Sequence, residues 1–107
     1  MKRAYYSNTI KNFLNEPEAS ILGKLTMNHS NRSLEDLQRN AWRKQIQILK
    51  NQLQNIEGKI YFEFAIPRMG KRVDNIIIVN DVAFIVEFKV GDANYEKHAI
   101  NTGISFI

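Results

Sequence analysis

Apolar residues follow two different periods along this chain, a helical one in the first half and a strand-like one in the second. From Ser33 to Gly58, Leu34, Leu37, Ala41 and Ile48, with neighbouring Trp42, Ile46, Leu49, Leu53 and Ile56, recur at helical spacing. Ser33 opens that run with Asp36 as a weak capping box, and Gly58 closes it. Gln38, Gln45 and Gln52 interrupt the stripe every seven residues and mark its polar edge. Upstream, Ser7 is placed to cap a short helix through Phe13 and Leu14. Pro17 suits the first turn of another through Ile21, Leu22 and Leu25. Residues 28 to 32 are polar and read as a loop.

Beyond Gly58 the apolar residues form runs of strand length. Lys59 to Ile66 reads as one strand, Pro67-Arg68-Met69-Gly70-Lys71 as a basic turn, and Arg72 to Val79 and Val82 to Val90 as two more. Asn80-Asp81 tolerates the positive φ of a two-residue hairpin turn. Pairing Val79 with Val82 carries Asp74 opposite Glu87, with Lys89 two residues further on the same face. Ile76, Ile78 and Ile85 share that face, while Val73, Ile77, Val86 and Phe88 fill the other, so both faces are expected to be covered. Two carboxylates about 4 Å apart at an effective dielectric of about 20 repel by about 4 kcal/mol. A shared proton or a divalent cation with oxygen ligands would offset this. Glu63 interrupts the first of these strands, an outward solvated charge being slightly favoured over a metal-site role. Residues 92 to 101 begin like a helix, and 102 to 107 form an apolar tail that suits a short last strand or an abrupt end. The predicted class is α/β in the mixed α+β sense: N-terminal helices, a three-stranded mixed or antiparallel sheet, and a C-terminal helix start.

At 107 residues the chain is expected to form a single domain, with a helical segment 1–32, a long helix within 33–57 and a hairpin core 58–107. It has no cysteine, which excludes disulfides and thiolate zinc sites, and shows no signal-peptide pattern, so a cytoplasmic protein is expected. The formal net charge of +4 is unevenly placed. Residues 1–57 hold nine Lys and Arg against five Asp and Glu, whereas residues 58–107 are balanced at six each. A basic half beside an acid-bearing hairpin suits a polyanionic ligand.

Gly70-Lys71-Arg72-Val73-Asp74 followed by Val86-Glu87-Phe88-Lys89-Val90-Gly91 resembles the core motif of the PD-(D/E)xK phosphodiesterase superfamily. With Gln38-Arg39-Asn40-Ala41-Trp42 and Tyr61 to Asp74, the chain is similar to the N-terminal nuclease-like region of bacterial proteins that continue into a P-loop ATPase or helicase. The resemblance implies a restriction-endonuclease-like core and metal-dependent hydrolysis of DNA phosphodiesters. Asp74, Glu87 and the Phe88 carbonyl would hold Mg2+ or Mn2+, and Lys89 would orient water or stabilise transition-state charge. Glu35 is the nearest helical acid, with Gln38 and Gln45 as neutral substitutes and Glu63 as a further accessory candidate. Arg68, Lys71 and Arg72 would lie near the nucleic-acid backbone, and Arg39 would extend that surface. The family's core continues beyond the post-motif helix, so a truncated core is expected, with an unpaired strand edge that favours a homodimer. Two alternatives stand beside the nuclease: a catalytically silent nucleic-acid-binding or regulatory module of an ATPase or helicase system, and an oligomerising interaction domain.

Overall fold

The computed structural model describes residues 3–29 and 36–88, together with the backbone of 104–106. Its elements are β1 (Tyr6–Thr9), α1 (Ile10–Asn15), α2 (Glu18–Asn28), α3 (Asp36–Gln52), β2 (Lys59–Ile66), β3 (Lys71–Val79), β4 (Val82–Val86) and β5 (Ile104–Phe106). All five strands join one sheet in chain order, every neighbour antiparallel. The fold is therefore α+β, with the three predicted strands, an N-terminal strand the sequence does not announce, and a short last strand over Ile104–Phe106, one of the two readings of the apolar tail; no pair is parallel among the described strands.

Both flanking strands form by long-range pairing. Tyr6–Thr9 is too short and polar to declare itself, but its register against β2 runs from Tyr6 opposite Phe62 to Thr9 opposite Lys59. The predicted helix start at Ser7 is thus corrected. Thr9 is the cap, its side chain accepting from the Asn12 N–H at 3.1 Å. At the other end, Ile104 pairs with Ile85 and Phe106 with Ala83. The expected free edge beside the hairpin is corrected as well, because β5 covers β4. The predicted helix start over 92–101 lies outside the described residues.

The long helix meets the sheet through Trp42, Gln45, Ile46 and Leu49, a buried stripe at i, i+3, i+4 and i+7. Ile10, Phe13, Ile21 and Leu25 from α1 and α2 join Ile60, Phe62, Ile77, Val86 and Phe88 from the sheet in the same core. Each large side chain so buried contributes about 1.5–3 kcal/mol. Lys50 of α3 closes the C-terminus of α1, its ammonium donating to the carbonyls of Phe13, Leu14 and Glu16. Cations there satisfy the orphan carbonyls and complement the helix dipole. Gly58 allows the chain to enter β2, since a Cβ at that position would collide with the Ile78 carbonyl oxygen.

The hairpin register follows the sequence. Val79 faces Val82, and the ladder runs to Asn75 opposite Val86. Asn80 and Asp81 have φ of 51° and 68°, the left-handed pair a two-residue turn requires. Between β2 and β3 the register is continuous except at one place. The ladder holds on both sides of Glu63 and Asp74, but that pair is missing, and Glu63 has φ of 54°. A left-handed non-glycine residue inside a strand costs about 1–3 kcal/mol and re-aims its side chain.

Candidate active site and nucleic-acid interface

That irregularity gathers the acids. Just past the last β3–β4 backbone pair, Phe88 N–H donates to Asp74 Oδ2 at 2.8 Å and Asp74 N–H donates to Glu87 Oε2 at 3.2 Å. Each carboxylate therefore holds the backbone of the opposite strand, and the expected Asp74–Glu87 juxtaposition is made by side chains where the regular ladder stops. Glu63 comes in from β2. Its Oε2 accepts from the Trp42 indole N–H at 3.2 Å, and its carbonyl accepts from Arg72 at 2.6 Å. The expectation of a solvated, outward Glu63 is thus corrected: the left-handed backbone turns its carboxylate toward α3. The edge-on contact of the Tyr61 and Phe64 rings fits this, because residues three apart in a regular strand lie on opposite faces.

Electrostatics follow from this crowding. Burial pushes the Asp74 carboxyl up, the Phe88 N–H opposes it, and the charges of Glu87 and Glu63 with a side-chain hydrogen bond to Glu87 raise it further, to about 6. Glu63 is also raised by burial, against the lowering influence of Trp42, Arg72 and His29. The donors suit a hard cation as a pair. Mg2+ takes one or two carboxylates and keeps several waters. Among the described residues no three His, Cys, Asp or Glu side chains converge to hold a metal ion, so Glu63, bound to Trp42, neighbours the pair without completing a ligand trio.

The other predicted residues fall in several places. Phe88 offers its N–H to Asp74 while its ring lies in the core. Glu35 and Lys89 lie outside the described residues. Gln38 is half-buried near the start of α3. Gln45 is buried, and its Oε1 has no hydrogen-bond partner among the described residues, as is also true of Asn75 Oδ1 beside Asp74. Arg39 bonds Asp36 at 3.3 Å on α3.

Arg68, Lys71 and Arg72 come together. With Arg3, Ala65, Ile66, Pro67 and Gly70 they line an open hollow of about 590 Å³ at the β2–β3 turn, with four cationic residues and no acid in its lining among the described residues. Arg72 is the most committed of them. Its guanidinium lies 4.3 Å from the Tyr5 ring centroid and donates to the carbonyls of Glu63 and Arg3. Tyr5 in turn meets Trp42 and His29 edge-on, so the hollow and Glu63 share one network.

Sequence reasoning missed Trp42, Tyr5, His29 and Arg3. Trp42 was legible in part, since a buried indole N–H requires an acceptor. The other three are brought in by the N-terminal strand and the end of α2, neither of which carries a motif.

No protein-family model matches this chain, and no curated protein or solved structure matches it. No helix among the described residues is long and apolar enough to cross a membrane.

Proposed function

We propose that this chain is a metal-dependent DNA nuclease domain with a PD-(D/E)xK-type site and a restriction-endonuclease-like core. The observation that carries the reading is the Asp74–Glu87 pair, one carboxylate on β3 and one just past the end of β4, each bonded to the backbone across from it, inside a surrounding that disfavours leaving both charges uncompensated. Bound there, Mg2+ or Mn2+ would supply a nucleophilic hydroxide near neutral pH and neutralise charge on the phosphoryl oxygens. Asp74 and Glu87 would hold the ion, with the Phe88 carbonyl as a further donor from the same strand. The Phe88 N–H fixes the Asp74 rotamer, so the pair is oriented before any ion arrives. Lys89 would orient water or oppose transition-state charge. Arg68, Lys71 and Arg72 would supply a cationic approach for the phosphate backbone, joined to the acid side through the Arg72 bond to the Glu63 carbonyl.

The test is cleavage of single- and double-stranded DNA with Mg2+ or Mn2+. Wild type is expected to cut, Asp74→Asn to lose activity, and Lys89→Ala to lose turnover by about 10²–10³-fold, the scale for removing one preorganised electrostatic group. DNA binding without cleavage under either metal would replace this reading with the silent nucleic-acid-binding module, which the acid-free lining of the hollow favours. An ATPase or helicase partner belongs to the same proposal.

A further inference from the structure

We infer that Trp42 and Arg72 are positioning residues for the carboxylate pair and act through Glu63, whose carboxylate they hold in the outer sphere of the cation at Asp74 and Glu87. The inference deepens the metal-dependent reading and rests on it for the cation. The β2–β3 ladder breaks at Glu63, whose φ of 54° is a conformation that persists only where the surroundings over-determine it. Two bonds do so. Arg72 donates to its carbonyl at 2.6 Å, and the Trp42 indole N–H donates to its Oε2 at 3.2 Å. Both donors are themselves braced. Trp42 is fully buried and meets the Tyr5 and His29 rings edge-on, while the Arg72 guanidinium rests on the Tyr5 ring and bonds the Arg3 carbonyl. A glutamate serving only as a solvated surface charge would need neither the strain nor the donors.

The clamp keeps a third negative charge beside the pair: the charge of Glu63 acts on Asp74, and that of Glu87 acts on Glu63. It also denies Glu63 a direct bond to the cation, because Oε2 is occupied by the indole and no three acidic side chains converge among the described residues. Glu63 Oε1 makes no hydrogen bond among the described residues. A carboxylate fixed through one oxygen and open at the other, beside a cation that keeps several waters, accepts from one of those waters. That bond orients the water and strengthens the hold on the ion. A buried indole N–H needs an acceptor of some kind, and a neutral one would satisfy it. What a neutral partner would not supply is the charge.

Mn2+ affinity, measured without DNA from the EPR signal of the free ion, tests this apart from cleavage. Glu63→Gln keeps an acceptor for the indole and removes the charge, and it should weaken Mn2+ binding by about 10-fold, the low end for losing a partner that orients a metal's ligands. Trp42→Phe, which releases the carboxylate, should weaken it to a similar extent. The double variant should bind no more weakly than either single one, because both changes disable the same group. Each variant is first checked for a cooperative melting transition. Where Trp42→Phe does not fold, Arg72→Lys, which keeps the charge and gives up the planar guanidinium, releases the other end of Glu63 with the same expectation. Unchanged affinity in Glu63→Gln, losses that add in the double variant, or tighter binding in Trp42→Phe would overturn the inference and leave the metal site standing. A wild type that binds no Mn2+ would overturn both. The expected pattern in a wild type that binds Mn2+ but cuts no DNA would support the clamp and remove the catalytic reading.

Discussion

Glu16 and Asp74 carry the same functional group and are driven in opposite directions. Glu16, at the end of α1, accepts from the Tyr6 hydroxyl and the Ser20 hydroxyl, each at 2.6 Å, and pairs with Lys24 at 2.8 Å. Burial raises its carboxyl, but those donors outweigh burial and hold it at about 2. Asp74 accepts one backbone N–H and faces two other acids, and it stands at about 6. Burial alone therefore does not identify a reactive acid. What separates the two is the charge beside them: Glu16 pairs with Lys24, whereas Asp74 faces Glu87 and Glu63.

The comparison breaks most readily with metal. A cation that binds only the folded state stabilises it by RT ln(1 + [L]/Kd), about 2.7 kcal/mol at a hundredfold excess over Kd. At about 4–8 °C per kcal/mol for a domain of this size, Mg2+ or Mn2+ should raise Tm by roughly 10 °C or more. Asp74→Asn should abolish that response, while the metal-free variant at pH 7.5 melts higher than metal-free wild type because one of the facing charges is gone. Equal melting of wild type and variant, with and without metal, would remove the distinction from Glu16.

Acidity sharpens the contrast further. The folded state binds the Glu16 proton less tightly than the unfolded chain, so its stabilisation is complete above about pH 4.5 and is lost as the pH falls toward about 2. For Asp74 the sign reverses: the folded state binds the proton more tightly, so that contribution is present below about pH 3.8 and is lost as the pH rises through about 6. Urea titrations of metal-free protein should show the fall between pH 4 and 6 shrink in Asp74→Asn, the remainder coming from Glu63, which burial also raises. Tyr6→Phe, which removes one donor to Glu16, should cost about 2 kcal/mol at pH 7, the scale for a hydrogen bond to a charged group, and less near pH 2. A Tyr6→Phe loss that does not change with pH would mean that the hydroxyl matters for packing and not for the carboxylate.

The smallest effect expected is at Gln45. Its buried Oε1 has no partner among the described residues, a condition that costs about 1–3 kcal/mol, so Gln45→Leu should stabilise the protein by about 1 kcal/mol in chemical denaturation. A destabilised, less active variant would instead draw Gln45 into the acid site, as the helical substitute the sequence proposes.

Local sequence determined the elements whose information is local. The β2 strand over Lys59–Ile66, the Asn80-Asp81 turn and the Val79–Val82 register follow from β-branched runs and from two residues that tolerate positive φ. That register is sufficient to bring Asp74 beside Glu87, and the buried stripe of α3 follows from helical periodicity in the same way. Only the tertiary structure decided the rest. Tyr6–Thr9 becomes a strand because β2 offers it unpaired backbone groups, and Ile104–Phe106 because β4 does. Glu63 turns toward α3 because Trp42 and Arg72, 21 and 9 residues away, hold its two ends in a conformation that its neighbours in sequence would not favour. Periodicity fixes which face a residue takes when the ladder is regular, and at Glu63 the ladder breaks.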